Sequence, residues 1–258
     1  QVGIGTTTPD NSAALDVKST NKGFLPPRMT ENERDAITTP AAGLIVWCTN
    51  CGSDGEVQVF NGTTWTNLIG GSAAEGPPQI GDFRDGGVVF YVAPSPTDLN
   101  GDGSLDTGLV CAIEDQSALI TWTNKSYGNF ITTGATAINI GTGKANTDAI
   151  ISNLGSGNYA AAICDNYSIT LSGTTYDDWF LPSKVELNEM YQNKSDIDAT
   201  ANSNGGSDLA SIYYWNSTED SAYNSFALEQ LFNGSYNPGE IRKSFKTSKN
   251  GVRAVRAF

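Results

Sequence analysis

A run of nine residues, Gly70-Gly71-Ser72-Ala73-Ala74-Glu75-Gly76-Pro77-Pro78, divides this sequence in two. Such a run offers little to a core and stiffens at its end through proline. It predicts a module of residues 1–70, a linker at 71–79 and a second module at 80–258. The second module is long enough to bury a sizeable core, whereas 70 residues thin in apolar side chains make a poor autonomous domain. The first module is therefore expected to pack on the second, on a copy of itself or on a partner. Charged residues make up only 17% of the chain, against roughly 25% in an average soluble domain. Serine, threonine, asparagine and glycine take their place, which favours turns and strands and predicts a strand-rich α+β fold.

Fifteen basic residues stand against 28 acidic ones, a formal net charge of -13. Binding a phosphate backbone or an anionic membrane needs concentrated Lys and Arg, so nucleic acid is not an expected partner. The longest compact apolar run, Val88-Val89-Phe90-Tyr91-Val92, has strand length. A bilayer-spanning helix needs roughly 18 apolar residues, so no membrane insertion is expected. The sequence begins at Gln1 rather than Met, which fits a secreted product after signal-peptide removal and an extracellular or outer-surface location. An oxidising setting would let Cys48 pair with Cys51 and Cys111 with Cys164, although four cysteines allow three pairings.

Local signals place the elements. Thr30 and Glu33 have capping-box spacing and predict a short helix over 30–37. An apolar strand at 43–47 follows, then a hairpin of 57–60 and 63–68 around Asn61-Gly62, a pair suited to a tight turn. In the second module 86–92 and 108–113 read as strands around an acidic loop, and 146–154 and 158–167 as helices. Ser183 and Glu186 form a second capping box that opens a helix to about Asn193. Strands are expected at 213–216, 226–232 and 252–258.

The chain contains no histidine. That removes the commonest general base together with Ser-His-Asp, Cys-His and His-metal arrangements, so no enzymatic activity and no catalytic residues are expected. Glu219-Asp220 is an adjacent acidic pair of the kind usually left solvated. Trp47-Cys48-Thr49-Asn50-Cys51 has the spacing of a thioredoxin-like redox centre, but no helix follows Cys51 to activate a thiol, and a disulfide clip is the favoured reading. The sharpest chemical pattern is Asp98, Asn100, Asp102, Ser104 and Asp106 with Gly103 at the turn, the first nine positions of a calcium loop. Position twelve is Leu109 instead of an acidic residue, so a structural calcium ion would need a further ligand. Tyr213, Tyr214, Tyr223, Asn224, Asn233, Tyr236 and Asn237 bring Tyr and Asn together with Ser and Gly, a composition suited to adaptable recognition of a protein or glycan. Trp215 is expected in the core.

Two stretches carry resemblances. Val2-Gly3-Ile4-Gly5-Thr6-Thr7-Thr8-Pro9, Ala14-Leu15-Asp16-Val17, Gly23-Phe24-Leu25-Pro26-Pro27-Arg28-Met29-Thr30 and Ala42-Gly43-Leu44-Ile45-Val46 resemble the N-terminal segment of exported surface and tail-fibre-like proteins of Gram-negative bacteria, which leads into a stalk or display domain. Asp177-Asp178-Trp179-Phe180-Leu181-Pro182-Ser183-Lys184-Val185-Glu186-Leu187, Tyr214-Trp215-Asn216-Ser217-Thr218-Glu219 and Val252-Arg253-Ala254-Val255-Arg256-Ala257-Phe258 resemble bacterial C-type-lectin-fold domains related to formylglycine-generating enzymes. That second resemblance implies a domain whose N- and C-terminal strands pair. It departs from the enzymes in having no cysteine after Cys164. Together the resemblances imply a secreted, non-enzymatic cell-surface or appendage protein. It would serve adhesion, partner binding or filament assembly, with self-assembly through residues 1–70. A receptor-binding tip of a tail-fibre-like device and an enzyme derived from the lectin-type fold are the alternatives.

Overall fold

The structure, a computed structural model of the 258-residue chain, describes residues 1–70, 73, 75–171, 173–232 and 237–258. It divides into two compact units, Gln1–Pro77 and Pro78–Phe258.

In the first unit, β1 (Val2–Ile4) and β2 (Leu15–Val17) pair in parallel, with Val2 opposite Leu15 and Ile4 opposite Val17. Gly5 must be glycine: its φ is +75°, and a Cβ there would lie 2.1 Å from the Lys18 carbonyl oxygen. A separate sheet has the order β3 (Arg28–Met29), β4 (Ile45–Cys48), β5 (Glu56–Phe60), β6 (Trp65–Asn67). Helix α1 (Glu31–Asp35) is shorter than the 30–37 expected, but its capping box forms. The Thr30 side chain accepts from the Glu33 N–H, and the Glu33 carboxylate accepts from the Thr30 N–H. The Asn61-Gly62 hairpin is wider than a two-residue turn. Phe60 pairs with Trp65, and the Asn61 Oδ1 accepts the N–H groups of Thr63 and Thr64 inside a four-residue loop. The buried interior is small: it includes Val46, Cys48, Cys51, Gln58 and Arg34, whose guanidinium donates to Gln58 and lies over the Trp65 ring at 5.7 Å.

The second unit holds β7 (Phe83–Arg84), β8 (Gly87–Thr97), β9 (Asp106–Ala112), β10 (Ser117–Thr121), α2 (Gly143–Leu154), α3 (Ala160–Asp165), β11 (Ile169–Leu171), β12 (Thr174–Tyr176), α4 (Lys184–Gln192), α5 (Lys194–Ser203), β13 (Tyr213–Glu219), β14 (Phe226–Leu231), β15 (Ile241–Phe245), β16 (Lys249–Val252) and β17 (Val255–Ala257). Its central sheet runs β17-β9-β8-β7 and is covered on both faces. Alternation along β8 and β9 sends Val89, Val110 and Ala112 toward α2 and α3. It sends Val88, Phe90, Leu109 and Cys111 toward α4 and α5. A strand buried on both faces reads as a continuous apolar run, which is why 88–92 carries no polar residue. The second sheet runs β10-β16-β13-β14-β15, and β11 with β12 forms a small hairpin.

The stretch 252–258, expected as one strand, is two strands in two sheets. Between them the buried Arg253 guanidinium donates to the Asp115 carboxylate and to the carbonyls of Ala112, Ser207 and Asp208. That anchoring diverts the backbone from one sheet into the other. The C-terminal β17 pairs with β9, and the unit's first strand, β7, lies at the opposite edge. The fold is thus strand-rich α+β.

Candidate functional site

Three places in the structure bear on function. The first is the β1–β2 pair. Residues directly opposite each other in a pair share a face, so Val2, Ile4, Leu15 and Val17 form one apolar surface, with Gly3 and Asp16 on the reverse. These four side chains are 41–58% exposed. Phe24, Leu25, Leu68 and Ile69 of the same unit are more exposed still. Apolar surface this concentrated on a unit with so small an interior marks an interaction site.

The second is the acidic loop at 98–106. The structure brings Asp98, Asn100, Asp102 and Asp106 together, but their oxygens face the loop's own amides. The Asp98 carboxylate accepts from the N–H groups of Asn100, Gly101 and Gly103. Asn100 Oδ1 accepts from Asp102, the Asp102 carboxylate from Ser104, and Asp106 Oδ2 from Leu99 at 2.7 Å. Burial raises the Asp106 carboxyl above the usual range despite that amide. Leu109, at position twelve, is buried in the core. Among the described residues, no group of three or more His, Cys, Asp or Glu side chains is placed to hold a metal ion. Hydrogen bonds within the loop hold its shape.

The third lies on the outer side of the second unit's five-stranded sheet. Five aromatic rings run in contact there. Phe130 meets Tyr127 at 5.9 Å between centroids, Tyr127 meets Phe245 at 5.7 Å, Phe245 stacks on Phe226 at 4.4 Å, and Phe226 meets Tyr223 at 6.3 Å. Lys243 sits 4.8 Å from the Tyr223 ring centroid. Tyr223 also lines a pocket of about 290 Å³ with Thr132, Thr136, Glu219, Asp220, Ser221, Asn224 and Ser225. The expected solvated acidic pair is split. Asp220 accepts the N–H groups of Ala222 and Tyr223 and shapes the loop. Glu219 is buried, ion-paired with the buried Lys246, and accepts from the Thr133 N–H and hydroxyl and from the Gly134 N–H. Lys246 also lies 4.4 Å from the Trp122 ring centroid, and burial lowers its pKa.

Of the residues expected to recognise a partner, Tyr223 and Asn224 lie at this pocket and are exposed. Tyr213 is half-buried, with the Arg242 guanidinium 3.9 Å from its ring centroid. Tyr214 must be reassigned. It is a core side chain whose hydroxyl donates to Asp115, because neighbours on a strand face opposite sides. Asn237 is exposed in a turn at φ +48°. Asn233 and Tyr236 lie outside the described residues. Trp215 is buried, its indole N–H donating to the Ile120 carbonyl. The sequence reading missed Tyr127, Phe130 and Phe245, although Tyr127-Gly128-Asn129-Phe130 has the same Tyr/Asn/Gly character as the loop it did single out.

The cysteines also separate. Cys48 and Cys51 form a disulfide at the end of β4, with no helix following. Cys111 and Cys164 are buried free thiols, not a second disulfide. Cys111 points from β9 toward α4 and α5 while Cys164 packs with the opposite cluster, so the sheet stands between them. Burial pushes the Cys111 thiol up to about 12 and Cys164 well above its ordinary value, leaving neither as a nucleophile.

A family model described as a phage tail like trimerisation region matches residues 3–80. That match covers the unit carrying the exposed β1–β2 face and points to self-assembly. No curated protein matches the chain. Among the described residues, no helix is long and apolar enough to cross a membrane.

Proposed function

We propose that this chain is a non-enzymatic appendage or surface protein that trimerises through its first unit and displays the second for recognition, in the manner of a tail-fibre-like device. The observation that carries the reading is the face of Val2, Ile4, Leu15 and Val17, exposed in the single chain, of which Ile4, Leu15 and Val17 lie within the stretch similar to a trimerisation region. Three copies of a two-stranded pair can bury such faces against one another, supplying the core that 77 residues lack. The absence of histidine and the inert, buried state of the free thiols support a binding role over catalysis.

Light scattering at micromolar concentration tests this. The native protein is expected at three times the 27.3 kDa of the chain. Replacing Val2, Ile4, Leu15 and Val17 by Ser is expected to give monomer while the near-ultraviolet spectrum of the second unit's buried tryptophans is kept. A native monomer at every concentration would refute the proposal.

A further inference from the structure

We infer that the outer face of the first unit's four-stranded sheet, built by Ile45, Trp47, Val57 and Val59, is a second association surface that packs against another copy of this chain. The inference rests on the trimer reading for its occupant, but it concerns residues apart from the β1–β2 face.

Register assigns the two faces of the sheet, since residues opposite each other in a ladder share one. Val46 pairs with Gln58, Gln58 with Asn67, and Cys48 with Glu56. That is the inner face, where Val46, Cys48 and Gln58 are buried with Arg34 of α1. On the other face Ile45 stands opposite Val59 and Trp47 opposite Val57, with Arg28 and Thr66 beside them on the two edge strands. Ile45 is 41% exposed, and Trp47, Val57 and Val59 are each partly exposed.

A strand with one wet face alternates apolar inward and polar outward. β5 does the reverse: Glu56 and Gln58 turn inward, and Val57 and Val59 turn outward. With Ile45 and Trp47 alongside, the outward valines make a continuous apolar surface, which marks an interaction site.

A second copy is the occupant that the observations favour. All four residues lie within the stretch, 3–80, that is similar to a trimerisation region. Like faces meet here without charge repulsion. Arg28, the charged side chain that register puts on this face, stands at its edge, where a polar rim belongs. A charged partner would find no complementary group in the middle of the face. Around a three-fold axis, moreover, each copy brings the same patch to its neighbours.

The test uses the full chain. Light scattering over a dilution series should show Ile45→Lys and Val59→Lys each raising the concentration at which trimers dissociate by about tenfold or more. Thr63→Lys, in the exposed hairpin loop, should leave it unchanged. Fluorine NMR of protein labelled with 5-fluorotryptophan reads the native chain without relying on a folded lysine variant, with Trp47→Phe assigning the signal. The Trp47 fluorine should show little H₂O/D₂O shift in the trimer. It should gain that shift in the monomer, reached by dilution or by the serine substitutions of the β1–β2 face. A trimer that tolerates both lysines, or in which Trp47 is as open to solvent as in the monomer, overturns the inference and leaves the β1–β2 trimer standing. A native chain that is monomeric at every concentration refutes the trimer reading, and this surface with it.

Discussion

Glu186 shows how one side chain holds several segments. It is fully buried; one carboxylate oxygen accepts the N–H groups of Gly141, Thr142 and Gly143 at the start of α2, and the other accepts from Ser183 at the start of α4. Two helix N-termini with unpaired amides are thus satisfied by one residue. Gly143 is the consequence: a Cβ there would sit 2.2 Å from that carboxylate and 2.8 Å from the Phe180 ring. Burial outweighs the four amides and raises the carboxyl to about 7. A carboxyl whose folded pKa is raised stabilises most below its unfolded value of about 4.3, and the contribution is lost as pH rises through 7. Glu186→Gln removes that titration and sets an amide N–H₂ against the Ser183 N–H, at a cost of about 1–3 kcal/mol. Urea unfolding of both proteins from pH 4.5 to 8 should show the native protein losing stability toward pH 7 relative to the variant. Parallel profiles would contradict the assignment.

At the scale of elements, β13 joins the two cores and ends at a buried ion pair. Tyr214 faces one cluster and Trp215 the other, and a register shift before Glu219 lets the strand bury that carboxylate against Lys246. Removing one member of a buried pair leaves an uncompensated charge, at about 3–5 kcal/mol. Lys246→Met should lose about that much in urea unfolding, and the Lys246→Met/Glu219→Gln double variant should recover a large part. Equal losses in the two would show that packing on Trp122, and not the charge, is what Lys246 supplies.

The sequence made α1 and α4 legible because their capping boxes are local patterns of four residues. α5 was not, since only Ile197 and Ala201 of its ten residues are buried, too thin a stripe to register as helical periodicity. β15 escaped for a different reason: it is an edge strand carrying Arg242 and Lys243, charges that protect an open edge and mask an apolar pattern. The site followed the same logic. Composition pointed to the loop of Tyr223 and Asn224, but nothing local says that Phe226 and Phe245 are cross-strand partners, which is what carries the strip on to Tyr127.

For the whole molecule, two units with separate interiors should unfold as two transitions, and the chemistry of each decides how its transition responds. The first unit holds the Cys48–Cys51 disulfide and the apolar face; the second holds Cys111 and Cys164 as thiols and has nothing to reduce. A loop as short as Cys48 to Cys51 gives about 2 kcal/mol on the chain-entropy estimate, which for a unit of this size corresponds to a fall of about 10 °C on reduction. Mass action adds a second signature: a transition coupled to trimer dissociation rises with protein concentration, whereas an intrachain one does not. Scanning calorimetry with and without reductant, at two concentrations a hundredfold apart, should therefore move one transition on both counts and leave the other fixed. A concentration-independent first transition that still responds to reductant would keep the disulfide's role and remove the trimer. If neither treatment moves either transition, the first unit draws its stability from sources other than the disulfide and the β1–β2 face.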